Sequence, residues 1–362
     1  MVDWLTVELP DPVGLPVNDG FVAKVKPDGT VDWSTPCQRI LEGSWSSSLA
    51  VRAIGADACS ENRALTGLGA GFRRGGLCVS GNPAKFLSGH NLYGTDCPRE
   101  LLGRALDRAL PAIWPDEPEA EQLRHLIDLD QGEISRIDLT ASWLLDREQD
   151  VLPFLRAMEE RVWCPYRGRG VMNDVGTLYY GKTAKGKRAK DWQLKLYSKG
   201  RDVAFHKLPA PAYHVPGLLD EVNRTVRVEL TLRTQELKRL GLRKVGDWTR
   251  EKVAQIWRSY VDKLDFGESA LNLDTCELGD LPLKARHIDA IAAWRAGNDL
   301  RAGRTRASYY RLRKELREAT GIDIATVVPK SNVVPLRRML AATPLLRPSW
   351  ADTLDKVLSE AA

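Results

Sequence analysis

Three segments alternate polar and apolar residues, and each carries at its centre a side chain that can do chemistry. They are Arg136-Ile137-Asp138-Leu139-Thr140-Ala141-Ser142-Trp143, Gln193-Leu194-Lys195-Leu196-Tyr197-Ser198-Lys199, and Val226-Arg227-Val228-Glu229-Leu230-Thr231-Leu232-Arg233. Successive side chains of a strand point to opposite faces. If the segments are neighbouring strands, Asp138, Glu229 and Tyr197 therefore share one face with Arg136, Lys195, Lys199 and Arg227. Two carboxylates suit Mg²⁺ or Mn²⁺. Such an ion could polarise a phosphate oxygen, and the Tyr197 phenol could attack the phosphorus. Lys199 could lower the pKa of the phenol or balance phosphate charge. Polar outer faces are also ordinary in antiparallel sheets, so alternation alone leaves a surface of ion pairs as the commoner reading.

The elements that would position these groups are legible in outline. Leu101, Leu102, Ala105, Leu106, Ala109 and Leu110 have helical spacing behind Pro98, which predicts a helix over 99–113. Strands are predicted at 135–144, 176–181, 192–198 and 225–233, and a helix at 150–162. Pro209, Pro211 and Pro216 mark a loop between two strands. Beyond about 245 the pattern turns helical, over 247–263, 284–296 and 304–319. The expected fold class is α+β: an antiparallel sheet flanked by helices, followed by a mainly helical C-terminal domain. The expected divisions are 1–75, the N-terminal segment of the catalytic region, 76–243, the catalytic domain, and 244–362, the mainly helical C-terminal domain that could bind DNA.

Charge placement points the same way. The 362 residues hold 53 Lys plus Arg against 48 Asp plus Glu, a net +5. Between Arg161 and Lys207 twelve basic residues face three acidic ones, and between Arg301 and Arg317 seven face one. The first run includes Lys185, Lys187 and Arg188 and is interleaved with Tyr179, Tyr180, Trp192 and Tyr197. The second includes Arg313 on the predicted helix. Basic patches with aromatic residues among them make nucleic acid a candidate ligand. No run approaches the roughly 18 apolar residues of a spanning helix. The first ten residues lack a basic n-region, so the cytosol is expected. Six cysteines form no C-x-x-C pair, which argues against a zinc module or a disulfide framework. No P-loop is present, and transesterification would not need one.

Four ordered segments resemble the replication initiation proteins of filamentous bacteriophages, the gene II and gene X type. They are Pro83-Ala84-Lys85-Phe86-Leu87-Ser88-Gly89-His90-Asn91-Leu92-Tyr93-Gly94, Ile134-Ser135-Arg136-Ile137-Asp138, the Tyr197 strand, and Val226-Arg227-Val228-Glu229. Asn332-Val333-Val334-Pro335-Leu336 and Arg347-Pro348-Ser349-Trp350 resemble the family's C-terminal end, so the likeness spans about residues 80–350 in patches. The resemblance implies a rolling-circle replication enzyme. It would nick one strand of double-stranded circular origin DNA, stay linked to the 5′ end through a phosphotyrosine, and later cut and close the displaced single strand, alongside the helicase and polymerase of the bacterial host.

It assigns Tyr197 as nucleophile, with Lys199 beside it, and Asp138, Glu229 and His90 as candidate ligands of Mg²⁺ or Mn²⁺. His90 stands equally as a phosphate contact. Arg136, Lys195, Lys185, Lys187, Arg188, Arg227 and Arg313 are the expected DNA contacts, no membrane partner is expected, and the site of action would be the cytoplasm of the infected host. The related endonucleases carry a His-hydrophobe-His metal motif that this sequence lacks, so its metal site would be carboxylate-rich. Tyr179 or Tyr180 could supply a second nucleophile for closing, although aromatic residues in strands more often pack or stack bases. The other classes consistent with the residues are a DNA-binding replication or transcription regulator without catalysis, and a plasmid mobilisation relaxase.

Overall fold

The computed structural model describes residues 1–10, 17, 20–45, 47–54, 76–114, 124–125, 127–165, 167–173, 175–181, 189–265, 283–295, 298–320, 323–325 and 347–361. Its strands are β1 (Val2–Pro10), β2 (Phe21–Val25), β3 (Val31–Pro36), β4 (Arg39–Glu42), β5 (Ser48–Ile54), β6 (Gly76–Gly81), β7 (Glu133–Leu144), β8 (Trp163–Cys164), β9 (Gly168–Arg169), β10 (Val171–Met172), β11 (Leu178–Tyr180), β12 (Trp192–Ser198) and β13 (Thr225–Arg233). Nine of them form one sheet in the order β10-β11-β12-β13-β7-β1-β6-β5-β4. Every pairing in it is antiparallel. Helices flank the sheet and the later part of the chain is helical, so the fold is α+β as expected.

The alternation in the three central strands sorts their side chains. Ile137, Leu139, Leu194, Leu196, Val226, Val228, Leu230 and Leu232 are buried in the main core. That core takes in Leu101, Leu102, Ala105 and Leu106 of the helix Pro98–Ile113 and Phe154, Leu155 and Met158 of the helix Val151–Arg161. The helix Arg250–Val261 contributes Val253, Ile256 and Tyr260. Tyr180 belongs to this apolar side. It is fully buried and its hydroxyl donates to the Met158 carbonyl at 2.9 Å, which makes it a packing residue and removes it as a second nucleophile.

The structure adds to the sequence reading at both ends. β1, which lies outside the segments that carried the resemblance, lies in mid-sheet between β7 and β6. The proline-marked stretch after β12 is more ordered than a loop: it holds the helix Lys199–His206, a 3₁₀ turn at Ala210–His214 and the helix Leu218–Asn223. These pack with the helix Ala351–Glu360 in a second cluster of Leu92, Val203, Ala212, Leu218, Trp350, Leu354 and Leu358. A third cluster joins the helices Ala285–Arg295 and Arg306–Thr320 through Ile291, Trp294, Tyr309, Leu312 and Leu316.

Two β-bulges set the polar face. Thr6 pairs with Arg136 and Val7 with Ile134, leaving Ser135 as the extra residue on β7. Val2 pairs with Leu139 and Trp4 with Asp138, leaving Asp3 as the extra residue on β1. A bulge shifts the side-chain phase and re-aims one residue. Here Val2 joins Leu5, Val7 and Leu9 in the core, while Asp3 turns toward Asn82 and Asn91.

Candidate active site

The register confirms that the three segments present one face. Tyr179, Lys195, Glu229 and Thr140 form one cross-strand row, and Gln193, Thr231, Asp138 and Trp4 the next. Tyr197, Arg227 and Ser142 form a third row. Tyr197 is almost fully buried, and the Lys195 ammonium sits 4.4 Å from its ring centre. Burial, then the charge of Glu229, raises the phenol well above its ordinary pKa. The lowering expected from Lys199 is therefore not what this environment produces.

Lys199 also sits differently from expectation. The strand ends at Ser198, whose hydroxyl caps the next helix by accepting from the Arg201 N–H, and Lys199 opens that helix. Its ammonium is buried and donates to Asn91 Oδ1 at 2.9 Å and Asp202 Oδ2 at 2.6 Å. Desolvation, reinforced by Arg227, lowers its pKa to about 8.

The two carboxylates are close-held by cations. Arg136 Nε and Nη2 fork onto both oxygens of Asp138, at 2.9 and 2.5 Å, and its guanidinium lies 4.7 Å over the Trp4 ring. Lys195 Nζ donates to Glu229 Oε2 at 3.1 Å. Burial raises both carboxyls, Glu229 to about 7, and the charges of Asp138 and Asp3 add to that rise. Asp3, which sequence reasoning missed, is thus a third acid on this face. Among the described residues no three His, Cys, Asp or Glu side chains are gathered as a metal centre. The chemistry of Asp138 and Glu229 still fits a hard divalent ion: two carboxylates, each made costly by the other's charge, now neutralised by Arg136 and Lys195.

His90 is not brought to those carboxylates. The charges that act on it are those of Asp355, Lys199 and Arg227, and its ring packs on Tyr93 at 4.8 Å. The segment around it is built by caps. Asn82 Oδ1 accepts from the Lys85 N–H, Pro83 opens the helix Pro83–Ser88, and Gly89 closes it at φ 75°. A Cβ at Gly89 would lie 2.5 Å from Trp45 Cδ1, so both conformation and space require glycine.

Three buried polar groups then fasten the following residues to the sheet. Asp3 Oδ1 accepts from the side-chain amides of Asn82 and Asn91, each at 2.9 Å. Lys199 holds the other end of the Asn91 amide. Arg227 donates to the carbonyls of Asn91 and Leu92 at 2.5 and 2.7 Å and to Ser142 Oγ at 3.2 Å. With 1% of its surface exposed, Arg227 is a clamp and not the DNA contact expected of it.

Comparison with known proteins then decides the family. The model for the N-terminal part of the phage replication-associated proteins (the gene II proteins) matches residues 1–251, and that for their C-terminal part matches residues 280–354. The replication-associated gene II protein of Enterobacteria phage I2-2 is 33% identical over 363 residues, covering 98% of this chain and 97% of the relative. The chain belongs to the gene II family of phage replication-associated proteins.

Within this family member the remaining expected DNA contacts are mixed. Lys185, Lys187 and Arg188 lie outside the described residues. Lys195 and Arg136 are partly exposed on the site face. Arg313 is engaged by both oxygens of Asp323, at 2.6 Å each, while Arg306, Tyr310 and Arg311 of the same helix are exposed. No helix among the described residues is long and apolar enough to cross a membrane.

The buried titratable groups make opposite demands on pH. A His whose folded pKa, about 4, lies below its ordinary 6.5 takes up a proton mainly on unfolding. Its contribution is complete above about pH 6.5 and is lost as pH falls toward 4. Glu229, raised from 4.5 to about 7, does the reverse: its contribution is complete below about 4.5 and is lost as pH rises through 7. Each amounts to about 3 kcal/mol. Urea unfolding of the wild type is therefore expected to be nearly flat from pH 6.5 to 4.5. His90→Gln should gain stability on acidification over that range, and Glu229→Gln should lose it. Identical profiles for all three proteins would refute the assignment.

Proposed function

We propose that this protein is a phage replication initiator that nicks one strand of double-stranded circular origin DNA and later cuts and closes the displaced strand, with Tyr197 as nucleophile. The observation that carries the reading is the placement of Tyr197, Lys195, Glu229 and Asp138 on three adjacent strands of one polar face, in a chain of the gene II replication-protein family. The Tyr197 oxygen attacks the scissile phosphorus and the new O–P bond makes a 5′-phosphotyrosine. The P–O3′ bond breaks, the phenolic proton leaves toward the carboxylate side of the face, and the 3′ oxygen takes up a proton from solvent. The bond energy is kept in the ester, so closing is the same exchange in reverse and needs no nucleotide cofactor.

Burial holds the phenol protonated at rest, which protects it from idle reaction. Lys195 now lies over the Tyr197 ring and on Glu229, and its transfer to a phosphate oxygen both uncovers the ring and neutralises the incoming charge. Arg136 is the second cation available at the same face. Lys199, buried on Asn91 and Asp202, positions the end of the Tyr197 strand and does not touch the phosphate. Mg²⁺ or Mn²⁺ held by Asp138 and Glu229 would supply charge neutralisation at the scissile phosphate. The protein would work in the cytoplasm of the infected bacterium, together with the host helicase and polymerase.

The test is incubation of the protein with supercoiled origin plasmid and Mg²⁺, then denaturing electrophoresis. The expected result is nicked circles with protein covalently attached at the 5′ end. Tight binding with no nick and no covalent band would instead identify a non-catalytic regulator.

A further inference from the structure

A cleft of about 400 Å³ is lined by His90, Tyr93, Arg104, Arg250 and Arg347, with Glu100 and Asp355. His90 is 3% exposed and its Nδ1 accepts the Leu92 N–H at 3.3 Å. The ring proton of the neutral imidazole therefore resides on Nε2, and that buried atom has no hydrogen-bond partner. A metal-bound imidazole donates its second nitrogen's hydrogen to an acceptor. Here the second nitrogen is itself the acceptor, so Nε2 offers a donor and no lone pair. An unpaired buried donor is costly, and the cleft is lined to repay that cost with an anionic acceptor. Arg250 is paired with Glu100 at 3.1 Å, and Arg347 is shared between Asp352 at 2.6 Å and Asp355 at 2.9 Å. Arg104 is exposed and, among the described residues, is in no ion pair, so it adds a positive charge to the lining. Arg347 also lies 4.9 Å over the Tyr93 ring, so a flat, polar wall adjoins the charges.

We infer that this cleft is a second phosphate-binding site, in which His90 Nε2–H, Arg104, Arg250 and Arg347 hold a phosphate group. The same phosphate chemistry occurs in a DNA strand and in a free nucleotide. The strand is the better source, because Asn91 and Leu92, next to His90, are clamped by Arg227, the cross-strand neighbour of Tyr197. A strand engaged at Tyr197 thus has a neighbouring foothold. The inference rests on DNA as the protein's ligand, and does not need Tyr197 to be the nucleophile.

The experiment measures the affinity of a fluorescein-labelled single-stranded 20-mer by anisotropy at several salt concentrations. His90→Phe, which keeps a planar ring but removes the Nε2 donor together with the Nδ1 acceptor of the Leu92 N–H, should weaken binding about fivefold or more. Arg104→Ala, an exposed substitution that leaves folding intact, should lower the slope of log affinity against log salt by about 0.7, the value of one phosphate contact on a single strand. In parallel, inorganic phosphate and thymidine monophosphate are titrated while the His90 ring nitrogen signals are followed by NMR. Shifts with either small ligand but unchanged 20-mer binding in both variants would make the source a free nucleotide. No shift, with affinity and slope unchanged in both variants, overturns the site. Weakened binding in the variants alongside no covalent band in wild type would sink the nicking function and leave the cleft standing.

Discussion

Tyr197→Phe is expected to eliminate the covalent protein–DNA band and to reduce nicking of supercoiled origin DNA by a factor on the order of 10⁴ or more, the usual consequence of deleting a covalent nucleophile. The fold should tolerate the change. The ring carries the burial and the cation–π contact with Lys195, and both survive in phenylalanine. Origin affinity should stay within about twofold, because phosphate contacts dominate binding to DNA. Tyr179→Phe provides the internal contrast. Tyr179 shares the face one strand further out, opposite Lys195, and a nucleophile there would transfer the adduct to it during closing. The reading predicts that Tyr179→Phe retains the first nick and its covalent band. A retained 5′ adduct in Tyr197→Phe would refute Tyr197 as nucleophile whatever the rate.

How much of this was legible in the residues depends on where regularity held. β12 and β13 keep strict period two across the site, so alternation alone placed Lys195, Tyr197 and Glu229 on one face, and the strand bounds 192–198 and 225–233 match the structure. β1 breaks the rule. With uninterrupted alternation Asp3 would face the core beside Leu5, Val7 and Leu9, and only the bulge at Asp3 turns it to the polar side. A bulge is created by the pairing partner, which the local pattern does not contain. Arg227 misled for a related reason. An arginine flanking a carboxylate on a strand normally reaches solvent, but residues Asn91 and Leu92, 136 and 135 positions away, fold over it. The Gly-His-Asn motif was visible and its purpose was not. Its glycine is a helix cap against Trp45, its asparagine a bridge between Asp3 and Lys199, and its histidine part of the cleft wall.

Arg227 carries the largest expected effect on stability. Its guanidinium joins β13 to the carbonyls of both Asn91 and Leu92 and to Ser142 of β7. Arg227→Ala leaves the buried Leu92 carbonyl without its donor, at about 1–3 kcal/mol, and the part-buried Asn91 carbonyl at less, and opens a void where a large, fully buried side chain stood. One term acts in the other direction. Arg227 is a like charge that helps lower the Lys199 pKa, and its removal relieves that repulsion. The net expectation is a loss of about 3–5 kcal/mol, the void and the lost donors together. Lysine should not restore it, because a single ammonium cannot hold two carbonyls and a hydroxyl in the fixed geometry of a guanidinium fork. Urea unfolding at pH 7 measures the loss, and a difference below about 1 kcal/mol for Arg227→Ala would show that the clamp is not structural. A second reading separates clamp from core. If Arg227 orders the His90 segment, Arg227→Lys should lose 20-mer affinity in proportion to His90→Phe while Tyr197 stays buried. A general collapse of the strand pair would instead expose Tyr197 to solvent and bring its phenol back down toward an ordinary pKa, visible in its ultraviolet titration.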